Sequence, residues 1–350
     1  MSKTHVHNGI HAVTLSQALG HVVLRWCVRV LAVVVLLFGM GDISARADPV
    51  ETQNLMFQLQ NARMNKLVLH QPHLVAFLSG AESGALNADI TDHRGTVTFS
   101  SGVDQRLWAR VNGRWGESDQ RKDKYGFGAM GLHAYVTSTL IVGGMIEADY
   151  LSQAGAVSGK EGLGAMAGSY FLARNANQPL FFEGRLLYGR ASDGIRHLDS
   201  SKRRPDSRRG LTQLRISGKL RYGITTLLPS ILASYATEDV SPLNSGSLPG
   251  QSTRLRHIKM GLDFRHTLRQ MNGAPFVLNG GGALSSTSTR RYGSDTLATA
   301  NQRNRRGRVN LGVSYVTQAG GTVVIDGFVN GLGMPTPQSY GLKAAFDIQF

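Results

Sequence analysis

The chain has 350 residues, of which 41% are hydrophobic and 42 are glycine, and its formal net charge is +15. This length is compatible with one large domain or two ordinary ones. The hydrophobic fraction and the glycine content exclude a disordered chain and a helical membrane protein with several spans.

The N-terminal region contains one long apolar run, residues 28–40, which Arg29 interrupts. The run is too short for a spanning helix of about 20 residues. Basic residues precede it, and Ala45 and Ala47 form the small-x-small pattern of a cleavage site. We therefore predict a signal peptide over residues 1–47, cleaved after Ala47, with export through the Sec translocon. The alternative is an uncleaved N-terminal anchor.

The sequence offers no catalytic, cofactor or metal site. Its one cysteine, Cys27, lies inside the predicted signal, so the mature chain has no disulfide and no cysteine ligand. No phosphate-binding motif or metal-ligand spacing occurs. Asp193, His197 and Asp199 lie together in a predicted loop, where such a cluster is most often solvated charge. We expect that the protein is not an enzyme.

Much of the positive charge lies in two short runs, residues 202–209 and 303–308. No aromatic residue lies within either run, which argues against a base-stacking surface and against nucleic acid as a partner. Instead, we expect both runs to lie in solvated loops that face an anionic surface.

Residues 51–71 show helical periodicity, and Pro72 is expected to end the helix because the residue before a proline avoids the helical region. The apolar positions recur at steps of three, four or seven residues. They are Leu55, Leu59, Ala62 and Leu69.

Beyond Leu107 the period changes to two, which is typical of strands with two unlike faces. We place twelve strands near 106–115, 125–137, 139–151, 161–175, 179–191, 210–222, 223–237, 252–266, 274–288, 306–317, 321–331 and 339–350. An even number of antiparallel strands of this length favours a closed transmembrane β-barrel, because lipid offers no partner for a free sheet edge.

Short and long connections alternate between these segments, as they do in outer-membrane barrels. The alternation puts both ends of the barrel in the periplasm and both basic runs at the outer side. Aromatic residues near the segment ends could form interfacial girdles. They are Trp108, Trp115, Tyr125, Tyr135, Tyr150, Tyr188, Tyr222, Tyr235 and Tyr340.

Several stretches resemble one known family. They are the opening strand 107–110, the strand segments 128–135, 140–145 and 182–189, the terminal segment 340–350, and the upstream segment 61–80. Together they resemble the translocator β-barrel of the autotransporters, the type V secretion family. The resemblance implies a twelve-stranded antiparallel transmembrane β-barrel in the outer membrane, with an N-terminal helix in its lumen. It also implies assembly by the barrel insertion machinery among outer-membrane lipid and lipopolysaccharide.

Two sets of residues follow from this picture. Charged residues expected to line the lumen and meet the helix are Glu147, Asp149, Glu183, Arg185, Lys259, Asp263, Arg265 and Asp326. The family's terminal insertion signal is matched by Lys343, Phe346, Ile348 and Phe350, with Ala345 where the family has glycine.

The resulting domain organisation is a signal peptide over 1–47, a linker with the pore helix over 48–105 and the barrel over 106–350. It leaves little or no room for a passenger, so we predict a translocator-type barrel that is itself the working part. The alternatives are an adhesin-like barrel acting through its basic loops, and a minor pore. Cleavage of the Asn61-Ala62 bond by lumen acids, known in some family members, is less favoured than a plain helix asparagine.

Overall fold

The computed structural model describes residues 49–75, 85–91, 94–104, 106–118, 121–155, 158–197, 205–242, 250–268, 276–293, 301–316, 322–333 and 339–347. The predicted signal cleavage site, Ala45 and Ala47, lies outside these residues, as do Ile348 and Phe350. The described part of the chain consists of one helix followed by antiparallel strands.

The helix, α1, spans Pro49–His70. It agrees with the helical period of residues 51–71, and it ends two residues before Pro72. Proline also stands at its first position, where the missing N–H costs nothing. No helix in the described residues has the length and apolar character needed to cross a bilayer.

The strands are β1 (Ala85–Thr91), β2 (Arg94–Asp104), β3 (Leu107–Ser118), β4 (Arg121–Thr137), β5 (Leu140–Gly155), β6 (Ser158–Arg174), β7 (Leu180–His197), β8 (Asp206–Gly218), β9 (Leu220–Tyr222), β10 (Thr225–Val240), β11 (Gln251–Leu268), β12 (Phe276–Gly293), β13 (Asn301–Val316), β14 (Thr322–Leu332) and β15 (Ser339–Asp347). All pairings are between antiparallel neighbours.

The hydrogen-bonded order returns to its start, because β15 pairs with β1 while β10 pairs with β11. β8 and β9 are two parts of one barrel strand, interrupted at Lys219, and both pair with β10. The fifteen strand segments therefore occupy fourteen positions around the wall. Such closure satisfies the backbone groups that an open edge would expose to lipid.

Each of the twelve segments predicted from the sequence corresponds to one of these positions. The strand count differs from twelve because the chain adds a hairpin, β1 and β2, between the helix and the first predicted strand. This hairpin lies within residues 48–105, which the sequence assigned to the linker. β1 is only 7 residues long, and the alternation around it is too brief to distinguish a strand from a loop.

The two ends of the barrel differ. At one, here called the turn end, β4 and β5 are joined by residues 138–139 and β9 and β10 by Gly223 and Ile224. Gly223 has φ +58°, a left-handed conformation that suits a tight hairpin turn. The other end, here called the loop end, carries the longer connections 198–205 and 241–250.

Two predicted loops at the loop end are largely strand. Residues 116–124 and 152–160 were expected to be connections, but the structure leaves only 119–120 and 156–157 between strands. The wall continues there as polar strands beyond its apolar section, and a polar strand resembles a loop in the sequence.

Along each strand, side chains alternate between the lumen and the outside. In β7, Glu183, Arg185 and Leu187 are buried inside, whereas Leu186 and Tyr188 face out and are 61% and 63% exposed. Exposed apolar side chains of this kind recur around the wall and form the apolar belt: Leu132, Ile146, Leu186, Leu214, Ile231, Ile258, Met260, Leu262, Leu284, Val309, Leu311 and Ile325. A continuous apolar outer band is what a lipid-facing wall requires.

Aromatic residues lie above and below this belt. Trp115, Tyr188 and Tyr235 are exposed on the outside toward the loop end, and Tyr222 toward the turn end, as interfacial aromatic residues are. Tyr135 was also expected among them, but it lies opposite the buried Ile141 and its ring packs against His133, so it is on the lumen face. Trp108 and Tyr125 were expected among them but are buried in the interior, where Trp108 donates a hydrogen bond to the Tyr170 hydroxyl at 2.9 Å.

Candidate functional site: the helix inside the barrel

The contacts of α1 trace its path through the lumen. Near the helix start, Asn54 accepts a hydrogen bond from Arg291 of β12 at 2.8 Å, close to the loop end. Beyond the helix, the backbone N–H of Leu74 donates to Glu183 of β7 at 3.1 Å, near the turn end. The chain therefore enters at the loop end and runs toward the turn end, where β1 begins beside the end of β15.

Arg63 is the central contact between helix and wall. Its guanidinium donates to Asp193 of β7 and to Glu238 of β10, and all three side chains are fully buried. Removing charges from water costs several kcal/mol per ion, and only close pairing offsets that cost. The two carboxylates therefore hold one turn of α1 at a fixed position in the lumen.

Arg209 of β8 extends this network along the wall. Its Nη1 lies 2.5 Å from Asp149 of β5, and its Nε lies 3.5 Å from Glu238. Glu238 also accepts a hydrogen bond from Ser207 at 2.9 Å. Glu238 thus joins the Arg63 contact to a second buried cation, so that the network links strands β5, β7, β8 and β10 to the helix.

Two glycines of β6 make room for these guanidinium groups. A Cβ at Gly162 would lie 2.2 Å from Nη1 of Arg63 and 2.6 Å from the Asp193 carboxylate. A Cβ at Gly164 would lie 1.7 Å from Nη1 of Arg209. Because the ion pairs restrict the movement of both arginines, a side chain at either position would displace the network.

A second polar cluster holds the chain just after α1. Gln71 donates to Glu147 and accepts from Arg185, both at 2.8 Å. Arg185 also donates to the carbonyl of Pro72 at 2.6 Å and is paired with Glu183. These bonds fix the residues at which the helix ends and the chain continues toward the turn end.

Polar contacts also join other turns of the helix to the wall. The Gln60 amide oxygen accepts hydrogen bonds from Gln251 at 2.9 Å and Thr253 at 2.7 Å, both on β11. Lys66 pairs with Asp123 of β4 and lies 5.5 Å from the centre of the Tyr125 ring.

Apolar packing accompanies these bonds. Leu59, Met64, Leu67 and Val68 of the helix belong to one buried cluster with lumen-facing residues of the wall. The wall residues of the cluster include Tyr125, Phe127, Leu151, Met166, Leu187, Leu211 and Leu255. Burial of a whole side chain of this size contributes about 1.5 to 3 kcal/mol, so the helix is anchored by packing as well as by charge.

The structure locates most of the residues singled out in the sequence. Glu147, Asp149, Glu183 and Arg185 are buried in the lumen and contact either α1, the residues after it, or Arg209. Lys343 and Phe346 lie on β15, opposite Asp326 and Val323 of β14. Of the other proposed lumen residues, Lys259 is partly buried, whereas Asp263 and Arg265 are exposed.

Two predictions about charge were wrong. Asp193 was assigned to a solvated loop cluster, but β7 continues to His197 and Asp193 is fully buried against Arg63. Arg209 was assigned to a solvated basic run, yet it faces the lumen and is 2% exposed. The second run, 303–308, is part of β13 rather than a loop.

Arg63, Glu238 and Arg209 were missed as lumen residues. The alternation along the strand could have identified Glu238 as a lumen residue. It lies an even number of residues from Leu232 and Ala236, which face inward, and therefore lies on the same face of the strand. The role of Arg63 could be recognised only from its two carboxylate partners, Asp193 and Glu238, which lie 130 and 175 residues away in the sequence.

The Asn61 side chain is held by three hydrogen bonds. It donates to Gln302 at 2.7 Å and accepts from Thr289 and Asn65 at 2.8 Å. The acids considered for cleavage of the Asn61-Ala62 bond, such as Glu147 and Glu183, bind other groups. Among the described residues, no group of three or more His, Cys, Asp or Glu side chains is arranged to hold a metal ion.

The fold and this interior define the class of protein: an outer-membrane-type transmembrane β-barrel with a helix held in its lumen. No protein-family model matches the chain, and no curated protein matches it.

Solved structures with similarity to the chain include three autotransporter domains. The beta domain of the Bordetella autotransporter BrkA is 15% identical, with a TM-score of 0.45 over 77% of this chain and 100% of that chain. The translocator domain of NalP from Neisseria meningitidis is 10% identical, with a TM-score of 0.43 over 84% and 97%. The transport unit of AIDA-I from Escherichia coli is 13% identical, with a TM-score of 0.47 over 87% and 100%.

Proposed function

We propose that this chain is an autotransporter-like translocator barrel of the outer membrane. The observation that carries the proposal is the path of α1, from Asn54 at the loop end to the residues beyond His70 at mid-lumen. In this arrangement the start of α1 lies at the loop end. If the loop end faces the outside, the barrel presents the start of the mature chain at the cell surface.

The lumen contacts fit a translocator barrel in its closed state, after translocation. A helix is about 10 to 12 Å across with its side chains, which is enough to obstruct a barrel of this class. Arg63 with its two carboxylates, and Gln71 with Glu147 and Arg185, hold that helix in place. The helix therefore acts as a plug of the lumen, with its first residues held at the loop end.

The biogenesis that we propose uses both ends of the chain. Residues 1–47 direct export through the Sec translocon, with cleavage after Ala47. Lys343, Phe346, Ile348 and Phe350 then form the insertion signal read by the barrel insertion machinery. The linker and barrel follow one another in residues 48–350.

The alternatives receive less support. A minor pore requires an unobstructed lumen, whereas the helix packs against the wall through both apolar and ionic contacts. An adhesin acting through two basic loops loses much of its basis, because Arg209 is buried and residues 303–308 belong to a strand. Nothing in the described residues indicates catalysis as a second function.

Display of an epitope tests the proposal. A short epitope inserted directly before Pro49 should be labelled by antibody on intact cells and removed by added protease. The same epitope inserted in the turn-end connection 175–179 should be labelled only after the outer membrane is permeabilised. The reverse pattern, with the first epitope protected and the second exposed, would contradict the proposed orientation.

Conductance provides an independent measurement. The whole mature chain in planar bilayers should remain closed, and deletion of residues 49–75 should open a stable channel. A wild-type chain that conducts as strongly as the deletion variant would instead favour the pore.

A further inference from the structure

The outer wall carries a compact basic surface on three neighbouring strands. Because Gln302 and Thr289 bind Asn61 of α1, residues of their parity on β13 and β12 face the lumen. The alternate residues therefore face outward. The outward arginines near the loop end are Arg254 and Arg256 of β11, Arg290 of β12, and Arg303 and Arg305 of β13, all of them exposed. We call these five residues the arginine patch.

Strand register brings the patch together. Arg254 lies directly opposite Arg290. Ser288 lies between Arg256 on one side and Arg303 on the other. Paired strands are about 5 Å apart, and successive outward residues are about 7 Å apart along a strand. Five guanidinium groups thus converge on an area that one lipid headgroup can cover.

The patch has no acidic counterpart on its own face. The outward residues of β11, β12 and β13 include no Asp or Glu, since Asp263 has lumen parity. The closest outward carboxylate by register is Asp239 of β10, opposite Ser252. Like charges on facing residues destabilise a sheet, so this arrangement favours an anion bound from outside.

The position of the patch relative to the apolar belt indicates which kind of anion it binds. On β11, Arg256 is followed on the same face by Ile258, Met260 and Leu262 of the apolar belt. On β13, Arg305 is separated from Val309 of the belt only by Gly307. The arginines therefore lie where acyl chains give way to headgroups. The guanidinium of Arg254 stacks on the ring of Tyr292, 4.7 Å from the ring centre. Tyrosine is typical of this interfacial level.

We infer that the arginine patch binds the phosphate groups of lipid A in outer-leaflet lipopolysaccharide. Arginine suits this ligand because its planar fork donates two parallel hydrogen bonds to phosphate oxygens. The acyl chains of the same molecule would cover the belt below. The assignment rests on the proposed outward orientation of the loop end, and it adds a bound glycolipid to the translocator function.

Lipid titration of the purified, full mature chain tests this inference. The probe is fluorescent lipid A carrying its phosphates, added to protein in a neutral detergent. Arg303→Gln with Arg305→Gln should weaken binding roughly thirtyfold, because each basic residue at an anionic surface contributes about fivefold. Arg254→Gln with Arg290→Gln is a second variant and should weaken binding by a similar factor.

The matched control is on the same strand. Arg306→Gln with Arg308→Gln removes the same charge from the lumen side of β13 and should change lipid A binding by less than about twofold. Heat-modifiable mobility in gels establishes that each variant is folded. Equal binding by the outward and inward double variants would overturn the inference.

Two further arms identify the ligand. Enzymatically dephosphorylated lipid A should bind the wild-type chain about as weakly as phosphorylated lipid A binds the outward variant. Equal affinity for phosphatidylglycerol would overturn the assignment to lipopolysaccharide. Because these titrations use purified protein, their result is separate from epitope display. A patch that fails to bind leaves the translocator proposal standing, and a failed display experiment does not alter the titration.

Discussion

The inner and outer faces of the same strands differ in polarity: the lumen face carries paired charges, and the outer face carries apolar side chains. On β7, the lumen side places Glu183, Arg185 and Asp193 in contact with the helix segment, each with a charged or polar partner. One residue away, Leu186 and Tyr188 are exposed to the outside without any such partner in the described residues. Charge in the described part of this barrel is therefore confined to the lumen and to the two ends, and the helix contributes to the charge balance of the lumen.

The largest effect should come from breaking that balance. Arg63→Ala removes the cation that pairs with Asp193 and one of the two that pair with Glu238, at a cost of about 3 to 5 kcal/mol to helix docking. Hydrogen exchange should show α1 losing protection while the strands retain it. The neutral triple variant Arg63→Met, Asp193→Asn, Glu238→Gln should recover most of the protection. Equal loss in both variants would mean that the ion pairs do not hold the helix.

The second effect tests the opposite face. Leu262 lies in the apolar belt of β11 and is 51% exposed to the outside. Leu262→Arg should lower the free energy of unfolding in lipid by about 2 to 4 kcal/mol, because the charge must leave water for hydrocarbon. Urea titration of the folded barrel in vesicles measures this, with Leu262→Val as the mild control. A loss below about 1 kcal/mol would indicate that this face does not meet lipid.

A third, smaller effect tests how closely β6 approaches the ionic site. Gly162→Ala places a Cβ against Arg63 and Asp193, and overpacking of this kind costs about 1 to 3 kcal/mol. Protease protection of α1 should fall. Gly126→Ala is the control, because a Cβ there meets nothing within 4 Å. If both substitutions change protection equally, the close approach at Gly162 has no role in seating the helix.

The smallest effect concerns the partly exposed contact of the helix. Lys66 pairs with Asp123, whose side chain is 35% exposed, and solvent screening reduces the value of such a pair to at most about 1 kcal/mol. Lys66→Met keeps the aliphatic stem against Tyr125 and should leave helix protection nearly unchanged. An effect as large as that of Arg63→Ala would contradict the ranking.

Sequence periodicity predicted the twelve strand segments and the helix because both depend on patterns within about ten residues. It also marked Glu147, Asp149, Glu183 and Arg185, since charges within apolar alternation are unusual. The β1–β2 hairpin was missed because its sequence contains too short an alternating run to distinguish a strand from a loop. Asp193 and Arg209 were assigned to loops because the wall extends past its apolar section as polar strand.

The partner of Arg63 could not be predicted for a different reason. Which carboxylate meets the helix depends on how far α1 is inserted and on the register of β7 against β10 through β8, and neither quantity is local to any segment. A strand slip of one residue would turn Asp193 outward. The interior charges therefore became interpretable only with the complete pairing scheme.

The helix α1 lies in the lumen with its first residues at the loop end. Cysteine pairs in a Cys27→Ser chain test this placement directly with a short bismaleimide cross-linker applied to the folded protein in membranes. Asn54→Cys should cross-link to Arg291→Cys and not to Glu183→Cys. Cross-linking to Glu183→Cys instead, or to neither position in a heat-modifiable barrel, would contradict the account.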